Sequence, residues 1–120
     1  MKKIYDISDA EMEVMEKLWE QGDGIKQSEL LARFEADGKQ WKRQTLNTFL
    51  TRLEGKGLVK RENRIVKVVY GREEYNNMQM KTVIDHVYGG RLSDFIASFV
   101  KKNTIADSDA KDLIHFLENK

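Results

Sequence analysis

The chain has 120 residues with no cysteine and no proline, 34% of them charged and 40% hydrophobic, including two Trp, five Phe and four Tyr. That length excludes a large enzyme scaffold, and the lack of cysteine excludes a disulfide framework, a thiolate nucleophile and a cysteine-ligated metal, as suits a cytoplasmic protein. The net charge of +1 hides a segregation: residues 1–38 hold five Lys/Arg against ten Asp/Glu, residues 39–72 hold ten against two, and the last 48 hold six against eight.

The opening MKKIYDISDAE has no apolar run after its lysines. No later stretch approaches the roughly 18 apolar residues of a membrane span, so neither export nor insertion is expected. Ser8 followed by Glu11 is a capping-box signal, and Met12, Met15, Leu18 and Trp19 recur at helical spacing up to Gly22-Asp23-Gly24. Ile25 leads into a second helix over about 27–36, with Leu30, Leu31 and Phe34 as its apolar stripe, ending near Asp37-Gly38. A third helix over about 43–55 carries Leu46, Phe49, Leu50 and Leu53 on one face and stops at Gly55 and Gly57.

The period then changes. Residues 58–62 and 65–71 are rich in β-branched side chains, and Glu62-Asn63-Arg64 reads as the turn of a two-stranded wing. Three further helical patterns follow, through Met80 to Tyr88, Leu92 to Val100 and Ala110 to Leu117, with Thr104 or Asp107 as N-cap of the last. The fold class is therefore mainly α with a small β-hairpin. Residues 1–72 form a winged helix-turn-helix, and residues 73–120 form a helical region too thin to bury a core alone. Pairing with a second copy through Val83, Val87, Tyr88, Leu92, Phe95, Ile96, Phe99, Val100, Leu113, Phe116 and Leu117 is the simplest remedy, so a homodimer is expected.

With its leucines turned inward, the third helix presents Gln44, Thr48 and Thr51 outward, flanked by Thr45, Asn47 and Arg52. Amides, hydroxyls and a guanidinium suit base edges, with Asn or Gln able to pair with adenine and Arg with guanine. Lys42 and Arg43 stand at the helix N-terminus, and Lys60, Arg61, Arg64 and Lys67 supply charge from the hairpin, so the basic block is expected to bind double-stranded DNA. Trp19 and Trp41 are expected to share one core. His86 and His115 have no catalytic or metal-ligand spacing, and no glycine-rich phosphate loop exists, so no enzyme, cofactor or metal is inferred. Two other readings stay open: a winged-helix protein-interaction module, and a regulator released by a small ligand between the lobes.

The segments ISDAEMEVMEKLWE, WKRQTLNTFLTRL with GKGLVKR, and Tyr88-Gly89-Gly90 before LSDFIASFV resemble the penicillinase and methicillin-resistance repressors of bacteria, over nearly the whole chain. The resemblance implies a dimeric winged-helix repressor on palindromic operators of β-lactam-resistance or related genes. It also implies a membrane sensor metalloprotease as partner, with release when the repressor is cut in its dimerisation region. The relatives' Asn–Phe bond corresponds here to Ser98–Phe99, which leaves open a cut at Ser–Phe or a different signal. Arg43 stands where several relatives have proline, and the paired cysteines of the copper-responsive branch are absent.

Overall fold

The computed structural model describes residues 7–120. The lysine-led opening of the chain therefore lies outside the described residues. The element order is α1 (Asp9–Gln21), β1 (Ile25–Lys26), α2 (Gln27–Ala36), α3 (Arg43–Gly55), β2 (Val59–Glu62), β3 (Ile65–Val68), α4 (Arg72–Val87), α5 (Leu92–Lys102) and α6 (Asp107–Glu118). The chain divides into two compact units, one up to Thr82 and one from Val83 onward.

In the first unit, Ser8 caps α1 through a complete capping box: its hydroxyl oxygen accepts from the Glu11 amide, and the Glu11 carboxylate accepts from the Ser8 amide. The buried face of α1 is Glu11, Val14, Met15 and Leu18, with Met12 and Trp19 at its margin. These residues meet Leu30 and Phe34 of α2, Leu46, Leu50 and Leu53 of α3, and Ile25, Leu58, Val59 and Val66 in one core. Both tryptophans pack against it, as expected. Trp41 lies 4.6 Å from Phe34 and 5.1 Å from Phe49 between ring centroids, while Trp19 lies 5.4 Å from Tyr75 and donates from Nε1 to the Tyr70 carbonyl at 3.0 Å.

The sheet corrects one expectation. It has three antiparallel strands in the order β1-β3-β2, because Ile25 pairs with Val66 and Lys26 with Ile65. A two-residue strand is too short to show a period, and what commits it is nonlocal: Ile25 is buried against the core. Gly24 permits the approach, since a Cβ there would lie 2.6 Å from Ile65 Cγ2. The hairpin strands end at Val68 rather than residue 71, although the Val69 amide still donates to the Leu58 carbonyl at 2.9 Å. At the hairpin turn, Asn63 and Arg64 have φ of 53° and 68°, the pair of left-handed residues that a two-residue type I′ turn requires.

Tyr75 is buried in this core, so the first turns of α4 complete the winged helix. Arg72 adds to the seam, its guanidinium 5.4 Å from the Trp19 ring and ion-paired with Glu16.

From Val83 onward no described residue is buried. Tyr88, Phe95 and Phe99 form a run of ring contacts at 5.6 and 6.4 Å, while Val87 and Phe116 are 66% and 68% exposed. The N-cap of α6 is Ala106, without a side-chain cap, in place of the expected Thr104 or Asp107. Asp107 instead occupies the first turn, where its charge favours the N-terminal end of the helix dipole.

Candidate nucleic-acid interface

Of the ten cations between residues 39 and 72, four are engaged by carboxylates within the first unit: Lys39 by Glu13, Lys56 by Glu11, Arg61 by Glu54 and Arg72 by Glu16. The positive block therefore does two jobs. Three of the four partners lie on α1, whose acidic residues come from the negative N-terminal block.

Of the others, Arg43 and Arg64 line an open groove between the N-termini of α2 and α3 and the hairpin turn. Its lining is Lys26, Gln27, Ser28, Leu31, Arg43, Gln44, Leu46, Asn47, Asn63 and Arg64, which brings cations, amides and a hydroxyl together without a carboxylate. Arg43 and Gln44 open α3, where unpaired backbone amides add positive potential. Arg64 closes the groove from the hairpin turn, and its carbonyl accepts from the Gln27 amide at 3.1 Å, which pins the turn to the start of α2.

The structure thus brings Arg43, Gln44, Asn47 and Arg64 together out of the residues singled out in the sequence. Lys42 is exposed beside them as the N-cap of α3. Thr48 and Thr51 are exposed on the same helix, and the Thr48 hydroxyl donates to the Gln44 carbonyl at 3.0 Å. Thr45, half-buried, and Arg52, exposed, fall on the opposite flank of α3 from Asn47 by helical spacing. Sequence reasoning missed Lys26, Gln27, Ser28 and Asn63, although a helix start after a short turn is where a helix-turn-helix sets its first helix across a phosphate backbone.

The wing cations do not act as one set. Strand pairing places Lys60 opposite Lys67 and Arg61 opposite Val66. Val59 and Val66 are buried, so by pleat alternation Arg61 faces inward while Lys60 and Lys67 share the exposed face of the sheet, turned from α3. Arg61 lies along α3 instead. It donates to Asn47 Oδ1 at 2.8 Å, to Thr51 Oγ1 at 3.0 Å and to Glu54 Oε1 at 2.7 Å, and more distantly to Gln27 Oε1 at 3.4 Å. The hydrogen bond from Arg61 holds the Glu54 carboxyl below the usual carboxylate range. Alternation counted from Val59 was the available signal for this inward placement.

The third helix presented beside a three-stranded wing, with a carboxylate-free groove between them, defines the winged helix-turn-helix class of transcriptional regulators. Residues 7–119 match the Penicillinase repressor family model, and the chain belongs to that family of transcriptional repressors, which are not enzymes. It is similar to the methicillin resistance regulatory protein MecI of Staphylococcus aureus strain N315, with 29% identity over 123 residues covering 98% of each chain. It is also similar to the penicillinase repressor of Bacillus licheniformis, with 28% identity over 122 residues covering 98% of this chain and 94% of the relative. No helix among the described residues is long and apolar enough to cross a membrane.

Proposed function

We propose that the protein is a cytoplasmic homodimeric repressor that binds a palindromic DNA operator of β-lactam-resistance or related genes, reading it with α3. The observation that carries this reading is the convergence of Arg43, Gln44, Asn47 and Arg64 on one groove whose lining has no carboxylate. Arg43 and Arg64 neutralise phosphates on either side, Lys42 and Lys26 add to the field, and Gln44, Asn47 and Thr48 reach base edges. Thr51 lies further along the reading helix, while Arg52 and Thr45 serve the far flank. Lys60 and Lys67 contribute through long-range attraction, because their face of the sheet is turned from α3.

The unit from Val83 onward supports pairing. Its apolar residues Leu92, Phe99, Leu113, Phe116 and Leu117 are all at least 40% exposed, an arrangement that a second copy would cover. Two reading heads held together gain effective concentration, so loss of the pairing lowers operator occupancy by orders of magnitude with the heads intact. Cleavage at Ser98–Phe99 by a membrane sensor metalloprotease is the proposed release. That bond lies inside α5 at Phe99, on the apolar face proposed to pair, so a cut there removes part of the pairing surface and weakens the dimer.

A gel-shift titration across salt concentrations, with duplexes taken from the DNA flanking the protein's own gene, tests the reading. Steeply salt-dependent, sequence-selective binding is expected, and it should be lost in a chain truncated after Ser98. Binding without sequence preference breaks the operator reading. A truncated chain that binds as tightly as the whole one breaks the release mechanism.

A further inference from the structure

Arg61 is read from sequence as a wing cation for phosphate, but its surroundings suit a different task. Its side chain is only 20% exposed, and the guanidinium spans from Glu54 to Asn47, two turns of α3. To reach a phosphate it would have to leave Glu54, and that carboxylate would then face the polyanion bare.

The guanidinium carries donors and no acceptor, so the end of the Asn47 amide that meets it has to be Oδ1. The 2.8 Å hydrogen bond turns the carbonyl toward the hairpin and leaves Nδ2 as the end available to a ligand in the groove that Asn47 lines. Arg61 also donates to Thr51 Oγ1, so the Thr51 hydroxyl keeps its proton for an outside acceptor. Thr48 has the opposite polarity, having given its proton to the Gln44 carbonyl.

We infer that Arg61 is a specificity-determining positioning residue, which by holding Asn47 Oδ1 makes Asn47 a donor that reads the acceptor edges of guanine or thymine. A freely rotating Asn would instead favour adenine, whose major-groove edge needs one acceptor and one donor side by side. The inference rests on the operator-binding reading above and deepens it.

The test selects sites from a library of duplexes with randomised central base pairs, using the full-length protein, Arg61→Ala, Arg61→Lys, Asn47→Ala and the Arg61→Ala/Asn47→Ala double variant. The wild type is expected to prefer G or T by about tenfold at the position that Asn47→Ala relaxes. Arg61→Ala should relax that same position, with an unchanged slope of log affinity against log salt, and the double variant should be no worse than Asn47→Ala. Arg61→Lys keeps the charge but cannot bridge Asn47 and Glu54 with a planar fork, so it too should lose the preference. Adenine under Asn47 in the wild type, a preference retained in either Arg61 variant, or an even weakening of all sequences with the salt slope lowered by about one would overturn the inference.

The Asn47 side-chain amide signals in the DNA-free protein give a second reading that needs no duplex. They should shift in Arg61→Ala while the backbone spectrum of the core stays in place, and an unmoved Asn47 amide overturns the inference even if operator binding is intact. A wild-type protein that selects no site, with the Asn47 amide responding to Arg61 as described, locates the failure in the operator reading instead and removes the base preference with it.

Discussion

Lys56, the residue that caps the C-terminus of α3, donates to the buried carboxylate of Glu11 on α1 at 2.8 Å. Glu11 also completes the α1 capping box, so one carboxylate holds a helix start and a helix end together. Burial pushes its pKa up, but the hydrogen bonds from Lys56 and Ser8 outweigh that, and the net displacement is below its ordinary 4.5. A carboxylate lowered on folding adds stability that is complete above its unfolded pKa and is lost as pH falls through the folded one. Glu11→Gln should therefore unfold more easily by about 2 kcal/mol at pH 7. Urea melts at stepped pH should show that gap closing as pH drops below 4.5, and a gap that persists in acid would contradict the role assigned to the ion pair.

Arg64 occupies the left-handed region at φ 68°, where a side chain costs about 1–2 kcal/mol that glycine avoids. Arg64→Gly keeps the carbonyl that accepts from the Gln27 amide and removes the cation from the groove. The variant should gain roughly 1 kcal/mol in stability, after its added unfolded-state freedom is subtracted. At the same time its duplex affinity should fall, with the salt slope lowered by about one. Thermal melts and salt titrations on the same preparation check both halves.

Lys60 and Lys67 stand directly across from each other on the exposed face of the hairpin, a like-charge pair that weakens the sheet. Lys60→Glu should raise stability by roughly 0.5 kcal/mol. Because that face is turned from α3, base preference should be unchanged and only the overall affinity should fall modestly. A changed base preference in site selection would place Lys60 in the reading surface after all.

Phe116 is 68% exposed on α6. In the proposed dimer it is covered, so Phe116→Asp should shift sedimentation from twice the 14.0 kDa chain mass toward 14.0 kDa and weaken operator binding, while the winged helix keeps its melting signal. An unchanged dimer would place the pairing surface elsewhere.

Much of the fold is legible in sequence because helix signals are local. The Ser8/Glu11 box, the apolar stripe of α3 and the glycines after it depend on residues three or four apart, and each appears where the spacing puts it. The third helix was legible for the same reason. Lys60, Arg61 and Lys67 were not separable by composition, since all three read as hairpin cations; the strand register sent two outward and one inward. The short β1 was invisible because Ile25 is a strand residue only by virtue of Val66.

The sequence by itself determined which segments are helical, which third of the chain carries positive charge and which side chains on α3 are amides, hydroxyls or cations, because periodicity and chemistry are properties of neighbouring residues. Only the tertiary structure decided how those charges are used: Lys56 and Arg61 are held by Glu11 and Glu54, whereas Arg43 and Arg64 meet across a groove. The physical reason is that a charged group's role depends on the partner it faces, and the packing of distant helices and strands chooses that partner.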